Sequence, residues 1–175
     1  MALPSCRKDD EEIPPAPVNE AEVITTLRLT FHSATDTVVL AFEDLDGAGG
    51  NAPVITGDTF LLNGNYSCTL LLLNASVSPV DTISNEVAAE AEEHQFFFST
   101  TDNSLIWSGY ADVDGNGMPL GLLTNWNTGG APGQGMVDVV LRHMPDKSAS
   151  GVSAGDITNA GGETDIEVSL PFVVQ

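Results

Sequence analysis

Two histidines and a glutamate have the residue types and spacing best suited to metal chemistry. His94 follows Glu90 by four positions in a run of helix-forming residues, which would place both side chains on one helix face. His143 ends a run of alternating apolar residues later in the chain. Imidazole and carboxylate groups bind zinc and copper, so Glu90, His94 and His143 are candidate transition-metal ligands. A solvated acidic helix would show the same spacing without any metal.

A repeated aspartate pattern is the second candidate for metal chemistry. Asp-x-Asp-Gly-x-Gly starts at Asp44 and again at Asp112, which makes Asp44, Asp46, Asp112 and Asp114 candidate calcium ligands. Neither copy has an acidic residue at loop position twelve, so an EF-hand is rejected. Two plain turns also explain the pattern, because glycine after aspartate is a strong turn signal.

A long polar segment is the third candidate, this time for ligand or partner contact. It runs from Pro145 to Glu163, roughly twenty residues, which is unusual inside a compact domain. Its side chains suited to polar contact are Lys147, Asp156, Asn159 and Glu163. Long loops of this kind often carry function, so we expect a contact region here.

Charge and the missing nucleophile exclude several classes of function. The chain of 175 residues holds 5 basic and 25 acidic residues, a formal net charge of -20. A nucleic-acid binder needs a basic surface, and this chain has none. No Gly-x-Ser-x-Gly motif occurs, and Cys68 lies in an apolar run with no neighbouring base. The sequence therefore predicts a protein that is not an enzyme.

The N-terminal segment resembles the start of a bacterial lipoprotein. Small residues and a leucine precede Cys6, as in a degraded lipobox, and a basic and acidic run follows it. That run resembles the surface-export signal of Bacteroidota lipoproteins. The resemblance implies lipid attachment at Cys6 and a location on the outer face of an outer membrane, with the membrane contacted only through this anchor. A charged tail with a chance cysteine is the alternative. Residues 1–21 are expected to be tether and proline-rich spacer.

Residues 22–175 are expected to form one domain. Short runs rich in Val, Ile, Thr, Phe and Leu alternate with turn residues, which is typical of strands. We predict an all-β, immunoglobulin-like two-sheet β-sandwich with one short surface helix at 84–94, capped at Ser84. The nine expected strands are 23–32, 37–42, 59–62, 66–74, 95–100, 105–111, 121–126, 135–143 and 164–174.

From about Ile24 to the end, the chain resembles a family of small flavobacterial surface lipoproteins of unassigned function. The segments that carry the resemblance are 92–98, 142–147 and 155–165. Some members carry a type 1 periplasmic-binding-fold label, but that α/β fold needs more residues and helices than this chain has. The resemblance implies a role beside a TonB-dependent outer-membrane receptor.

Two functional hypotheses follow, and an acidic hydrolase ranks third behind them. The first is a non-catalytic surface lipoprotein that captures a ligand, or assists a TonB-dependent receptor, during nutrient or metal uptake. The second is a structural or adhesive cell-surface module stiffened by calcium. The sequence demands no cofactor; the candidate ligands suit a divalent ion such as zinc, copper or calcium. The expected partner is an outer-membrane receptor or another surface protein.

Overall fold

The computed structural model describes residues 23–47 and 49–175. Within them it contains ten strands and one α-helix. The predicted anchor at Cys6 and the tether therefore lie outside the described residues. The strands are β1 (Thr26–His32), β2 (Thr37–Glu43), β3 (Val54–Thr56), β4 (Asp58–Phe60), β5 (Asn65–Leu73), β6 (His94–Thr100), β7 (Leu105–Tyr110), β8 (Leu123–Thr128), β9 (Gly133–His143) and β10 (Glu163–Val174). The helix α1 spans Ile83–Ala89.

The strands form two packed sheets. A six-stranded sheet has the order β3-β2-β1-β5-β8-β7, and a four-stranded sheet has the order β4-β10-β9-β6. All neighbouring strands are antiparallel except β4 and β10, which run parallel. The all-β two-sheet sandwich expected from the sequence is confirmed.

The main core lies between the two sheets. Burial alternates along the strands, as in β5, where every second residue from Tyr66 to Leu72 is buried. Aromatic rings fill the centre: Phe31 meets Phe60 and Trp126 edge to face, with ring centroids 4.9 and 5.5 Å apart. The alternation that predicted the strands is thus the pattern that builds this core.

Two local predictions were wrong. Strand β3 was missed because all three of its residues are exposed, so it has no alternating pattern to detect. The helix is shorter than expected: α1 is followed by a separate 3-10 turn, Ala91–Glu93, and its N-cap is Thr82. Ser84 is buried instead of capping, because its Oγ accepts a hydrogen bond of 2.5 Å from Leu72 N on β5.

Candidate functional site

The connection between β9 and β10, residues 144–162, packs over the outer face of the four-stranded sheet. It contains two 3-10 turns, Val152–Ala154 and Ile157–Asn159. Val152 and Ala160 are fully buried against Phe97 of β6, forming a second small core. The long loop predicted from the sequence is therefore a packed cover over the sheet.

The buried side chain of Lys147 holds the β9–β10 connection in place. Its side chain is 7% exposed, and its Nζ donates hydrogen bonds to Ala91 O (2.6 Å), Asp114 Oδ2 (2.8 Å) and Pro119 O (2.9 Å). All three ammonium donors are therefore satisfied. The prediction that Lys147 is a contact residue was wrong, because a buried ammonium must be paired and this one is used entirely within the fold.

Asp114 is held as a carboxylate by the same contact. Burial alone raises its pKa, but the hydrogen bonds from Lys147 and from the backbone N–H groups of Met118 and Asn116 outweigh that effect and hold the pKa below its ordinary value. Both oxygens of Asp114 are thus used by the protein. The ion pair ties the β9–β10 connection to the loop that follows β7.

The remaining polar side chains of the predicted contact loop are divided between structure and surface. Asp156 accepts a hydrogen bond from Thr158 N and so caps the second 3-10 turn. The Asn159 side-chain amide donates to Ser150 O within the loop. Glu163 is exposed at the first position of β10.

An open cleft lies between β7 and the β9–β10 connection. Its volume is about 610 Å³. Trp107 and Tyr110 of β7 contribute aromatic surface, and their rings meet edge to face at 5.0 Å. The other lining residues are Ser108, Gly109, Val113, Gly117, Met118, Pro119, Ser153 and Ala154. The cleft thus combines aromatic and other apolar surface with hydroxyl groups at its wall, which suits a small organic ligand with both polar and apolar parts.

The aromatic wall of the cleft is held rigidly. The Tyr110 hydroxyl donates a 2.6 Å hydrogen bond to Phe96 O and accepts one from the Gln95 amide at 3.0 Å. Burial raises the pKa of Tyr110 to about 12, so the hydroxyl stays protonated. The six-membered ring of Trp107 packs directly on Gly155 of the β9–β10 connection. The cleft therefore depends on the position of that connection.

Two predicted metal ligands, His94 and His143, are neighbours. His94 begins β6 and His143 ends β9, and the antiparallel register places them opposite each other. Their rings stack with centroids 4.8 Å apart, and their side chains are 3% and 8% exposed. Each Nε2 faces a carboxylate: His94 faces Asp165 at 3.6 Å, and His143 faces Glu93 at 3.5 Å.

The protonation of His94 follows from its contacts. Its Nδ1 lies 3.2 Å from Glu90 O, and a carbonyl can only accept, so Nδ1 carries the proton. Burial lowers the pKa of His94, outweighing the attraction of Asp165, so the neutral ring presents an Nε2 lone pair. Burial also raises the pKa of Asp165, whose Oδ2 has no hydrogen-bond partner.

The expected helical pairing of Glu90 with His94 was wrong. α1 ends at Ala89, and His94 already belongs to a strand, so the two side chains do not share a helix face. The contact between them runs through the main-chain oxygen of Glu90. Asp165 and Glu93 are the carboxylates that the fold places beside the two rings. Asp165 could not be found by spacing, because a register shift in β10 brings it there.

The two aspartate motifs do not come together. They follow β2 and β7, which lie four strands apart in the same sheet, roughly 19 Å at ordinary strand spacing. Asp112 accepts hydrogen bonds from Gly121 N and Leu123 N, so it closes its own loop. In the other copy, Asp46 binds Asn51, whereas Asp44 Oδ1 is buried without a hydrogen-bond partner. The two motifs therefore lie too far apart to share one ion.

The described residues contain neither a ready-made metal-ligand cluster nor a membrane-spanning helix. Within 23–47 and 49–175, no group of three or more His, Cys, Asp or Glu side chains is placed so that it could hold a metal ion. In the same part of the chain, no helix has the length and apolarity needed to cross a membrane.

The fold and the site define a two-sheet sandwich with a side cleft and a buried histidine-carboxylate cluster. Comparison with known proteins found no matching family model, no matching curated protein and no matching solved structure. The proposals that follow therefore depend on the chain's own residues.

Proposed function

We propose that this protein is a non-catalytic ligand-capture module displayed on the cell surface as a lipoprotein, serving uptake beside an outer-membrane receptor. The observation that carries the capture role is the cleft between β7 and the β9–β10 connection. Its lining is part aromatic and part polar, hydrogen bonds fix Tyr110 in its wall, and packed segments define both of its sides.

The lining indicates the chemical class of the ligand. Trp107, Tyr110 and Met118 offer flat or flexible apolar surface, while Ser108 and Ser153 offer hydroxyl groups. The net charge of -20 disfavours anionic molecules. The ligand we propose is therefore a neutral or cationic organic molecule that presents one apolar face, such as a sugar ring or an aromatic amine.

A cleft-filling substitution tests the capture role. Ala154 lines the cleft and is exposed, so Ala154→Trp should fill the space without disturbing the core. A ligand that binds the folded state raises the unfolding midpoint, and we expect this shift with a neutral oligosaccharide or a cationic aromatic amine. Ala154→Trp should abolish the shift, whereas Ala34→Trp, at an exposed turn elsewhere, should keep it. An equal shift in both variants would contradict capture at the cleft.

The surface location is supported by the lipobox-like sequence at Cys6 and the export-like run after it. Lipid attachment to this thiol would give stable anchoring, provided that more than one acyl chain is added. Cys6→Ser should abolish labelling by a radioactive fatty acid in the native host and release the protein in soluble form. Continued membrane association of this variant would refute the anchor.

The structural alternative keeps one supporting observation. Asp44 Oδ1 is buried and unpartnered beside Asp46, at a cavity of about 300 Å³ that Leu45 and Val54 also line. A calcium-stiffened module would lose thermal stability on chelation, and Asp44→Asn would remove that sensitivity. A ligand-capture protein without calcium would show neither effect.

A further inference from the structure

The cluster formed by His94, His143, Asp165 and Glu93 lies apart from the cleft and has no role in the capture proposed above. It joins three strands and a turn: His94 begins β6, His143 ends β9, Asp165 lies in β10, and Glu93 ends the 3-10 turn before β6. Three of the four side chains are less than one-tenth exposed. Burying this many ionisable groups together is costly unless a charge compensates them.

His94 and Asp165 face each other without a hydrogen bond. His94 Nδ1 lies against Glu90 O, which directs Nε2 toward Asp165 Oδ2, 3.6 Å away. That oxygen is buried and accepts no hydrogen bond. A ring nitrogen and a carboxylate oxygen therefore face each other across a distance too long for a direct hydrogen bond. A small cation between them would satisfy both.

The distances fit a transition-metal ion better than they fit a proton. An ion at the usual zinc distances of about 2.05 Å from nitrogen and 2.1 Å from oxygen would subtend an angle of about 120° across the 3.6 Å gap. This angle is near the tetrahedral value that zinc adopts.

Another feature is typical of metal-binding histidines. Donation from one ring nitrogen to a main-chain carbonyl fixes the tautomer and directs the other nitrogen at the ion, and Glu90 O fills that role for His94. Glu90 thus contributes its main chain, in place of the carboxylate that the sequence suggested.

We propose that His94, His143, Asp165 and Glu93 form a binding site for one divalent transition-metal ion of the zinc class. In the described residues, the four side chains form two neighbouring nitrogen–oxygen pairs. No three of them are already arranged to hold one ion. Binding one ion requires the His143 and Glu93 side chains to turn toward His94 and Asp165. Glu93 is 48% exposed, so it is free to move and gives the ion a path from solvent.

Such a site would link segments that are distant in sequence. It would tie β10 and the end of β9 to the turn that precedes β6 and would stabilise the folded state by mass action. The ion would be held near the base of the β9–β10 connection, whose other attachment is the Lys147–Asp114 pair.

Cobalt titration of the full chain tests this site, because tetrahedral Co²⁺ absorbs visible light where zinc is silent. All variants would carry Cys6→Ser, so that the tail thiol contributes no ligand. We expect one Co²⁺ per chain, its displacement by Zn²⁺, and a higher unfolding midpoint with either ion. Asp165→Asn keeps the shape of the side chain and should weaken binding at least about tenfold.

Two further variants separate ligand loss from loss of folding. Glu93→Gln changes a half-exposed side chain, so this variant should fold and still bind less tightly. His32→Gln removes the exposed histidine at the end of β1 and should bind as the parent does. Absence of visible absorption, or equal affinity in the parent, Asp165→Asn and Glu93→Gln, would overturn the proposal.

Discussion

The buried Lys147–Asp114 pair, at 2.8 Å, is the shortest ion pair in the described part of the chain. Lys147→Met removes a satisfied ammonium and leaves Asp114 Oδ2 and two carbonyls without their donor. We expect a loss of about 3–5 kcal/mol in the free energy of unfolding, measured by urea denaturation. The matched control is Arg28→Met, which breaks the exposed pair with Glu43 at 3.8 Å and should cost less than about 1 kcal/mol. Equal losses of unfolding free energy in the two variants would show that Lys147 stabilises the fold no more than an exposed ion pair does.

Cys68 provides a prediction about pH. Burial raises the pKa of this thiol to about 12, so in the folded protein it stays protonated and unreactive. In the Cys6→Ser variant, a thiol reagent at pH 8 should label no cysteine until urea unfolds the chain. Because the folded pKa is raised above 9.0, the thiol's contribution to stability is complete below that pH and is lost as the pH rises toward 12. Rapid labelling of the folded variant would refute the buried position.

At the scale of elements, the β9–β10 connection is the part whose position decides the shape of the cleft. Gly155 has φ +93° and lies against the Trp107 ring, where an added Cβ would come within 2.5 Å of a ring carbon. Gly161 has φ +61° and open space around it. Gly161→Ala should therefore cost only the left-handed backbone strain, roughly 1–2 kcal/mol. Gly155→Ala should cost about 1–3 kcal/mol more through overpacking and should also shift the fluorescence of Trp107. Equal losses of stability in the two variants would mean that Gly155 is not packed tightly against Trp107.

The elements also show where sequence reasoning succeeds and where it fails. Strands with strict alternation, such as β1 and β9, were predicted because one face must be apolar. β3 was not predicted because it pairs with the exposed edge of β2 through backbone hydrogen bonds, which leave no pattern in side-chain type. The helix end was misplaced because its glutamate-rich sequence continues into the 3-10 turn Ala91–Glu93.

The candidate site was harder to predict than the fold. His94 and His143 were singled out by residue type, but their position opposite each other depends on the pairing of β6 with β9. Lys147 looks like a surface residue in any polar loop, and only the fold brings Asp114 to it. Trp107 and Tyr110 were not selected as a site, because the cleft they line is closed by a segment more than forty residues later in the chain. Long-range contacts of this kind leave no local trace.

At the scale of the whole molecule, the acidic charge is carried by a sandwich whose described residues contain only three basic side chains, Arg28, Arg142 and Lys147. Two of them are already engaged with carboxylates. The surface field is therefore negative, which favours cationic or neutral ligands and keeps copies of the chain apart in solution. The metal site proposed at His94 and the cleft at Trp107 would both take ligands that this negative field favours.

The capture role can be tested most directly with Trp107 as its own reporter. Trp126 is fully buried in the core, so Trp126→Phe leaves Trp107, at the wall of the cleft, as the single tryptophan. Titration with a neutral oligosaccharide or a cationic aromatic amine should change the emission of this variant with saturation. The anionic dye anilinonaphthalene sulfonate should bind more weakly. Saturable binding that a further Ala154→Phe substitution removes, by filling the cleft without adding a tryptophan, is the result the proposed function predicts. Emission unchanged by either class of ligand would contradict it.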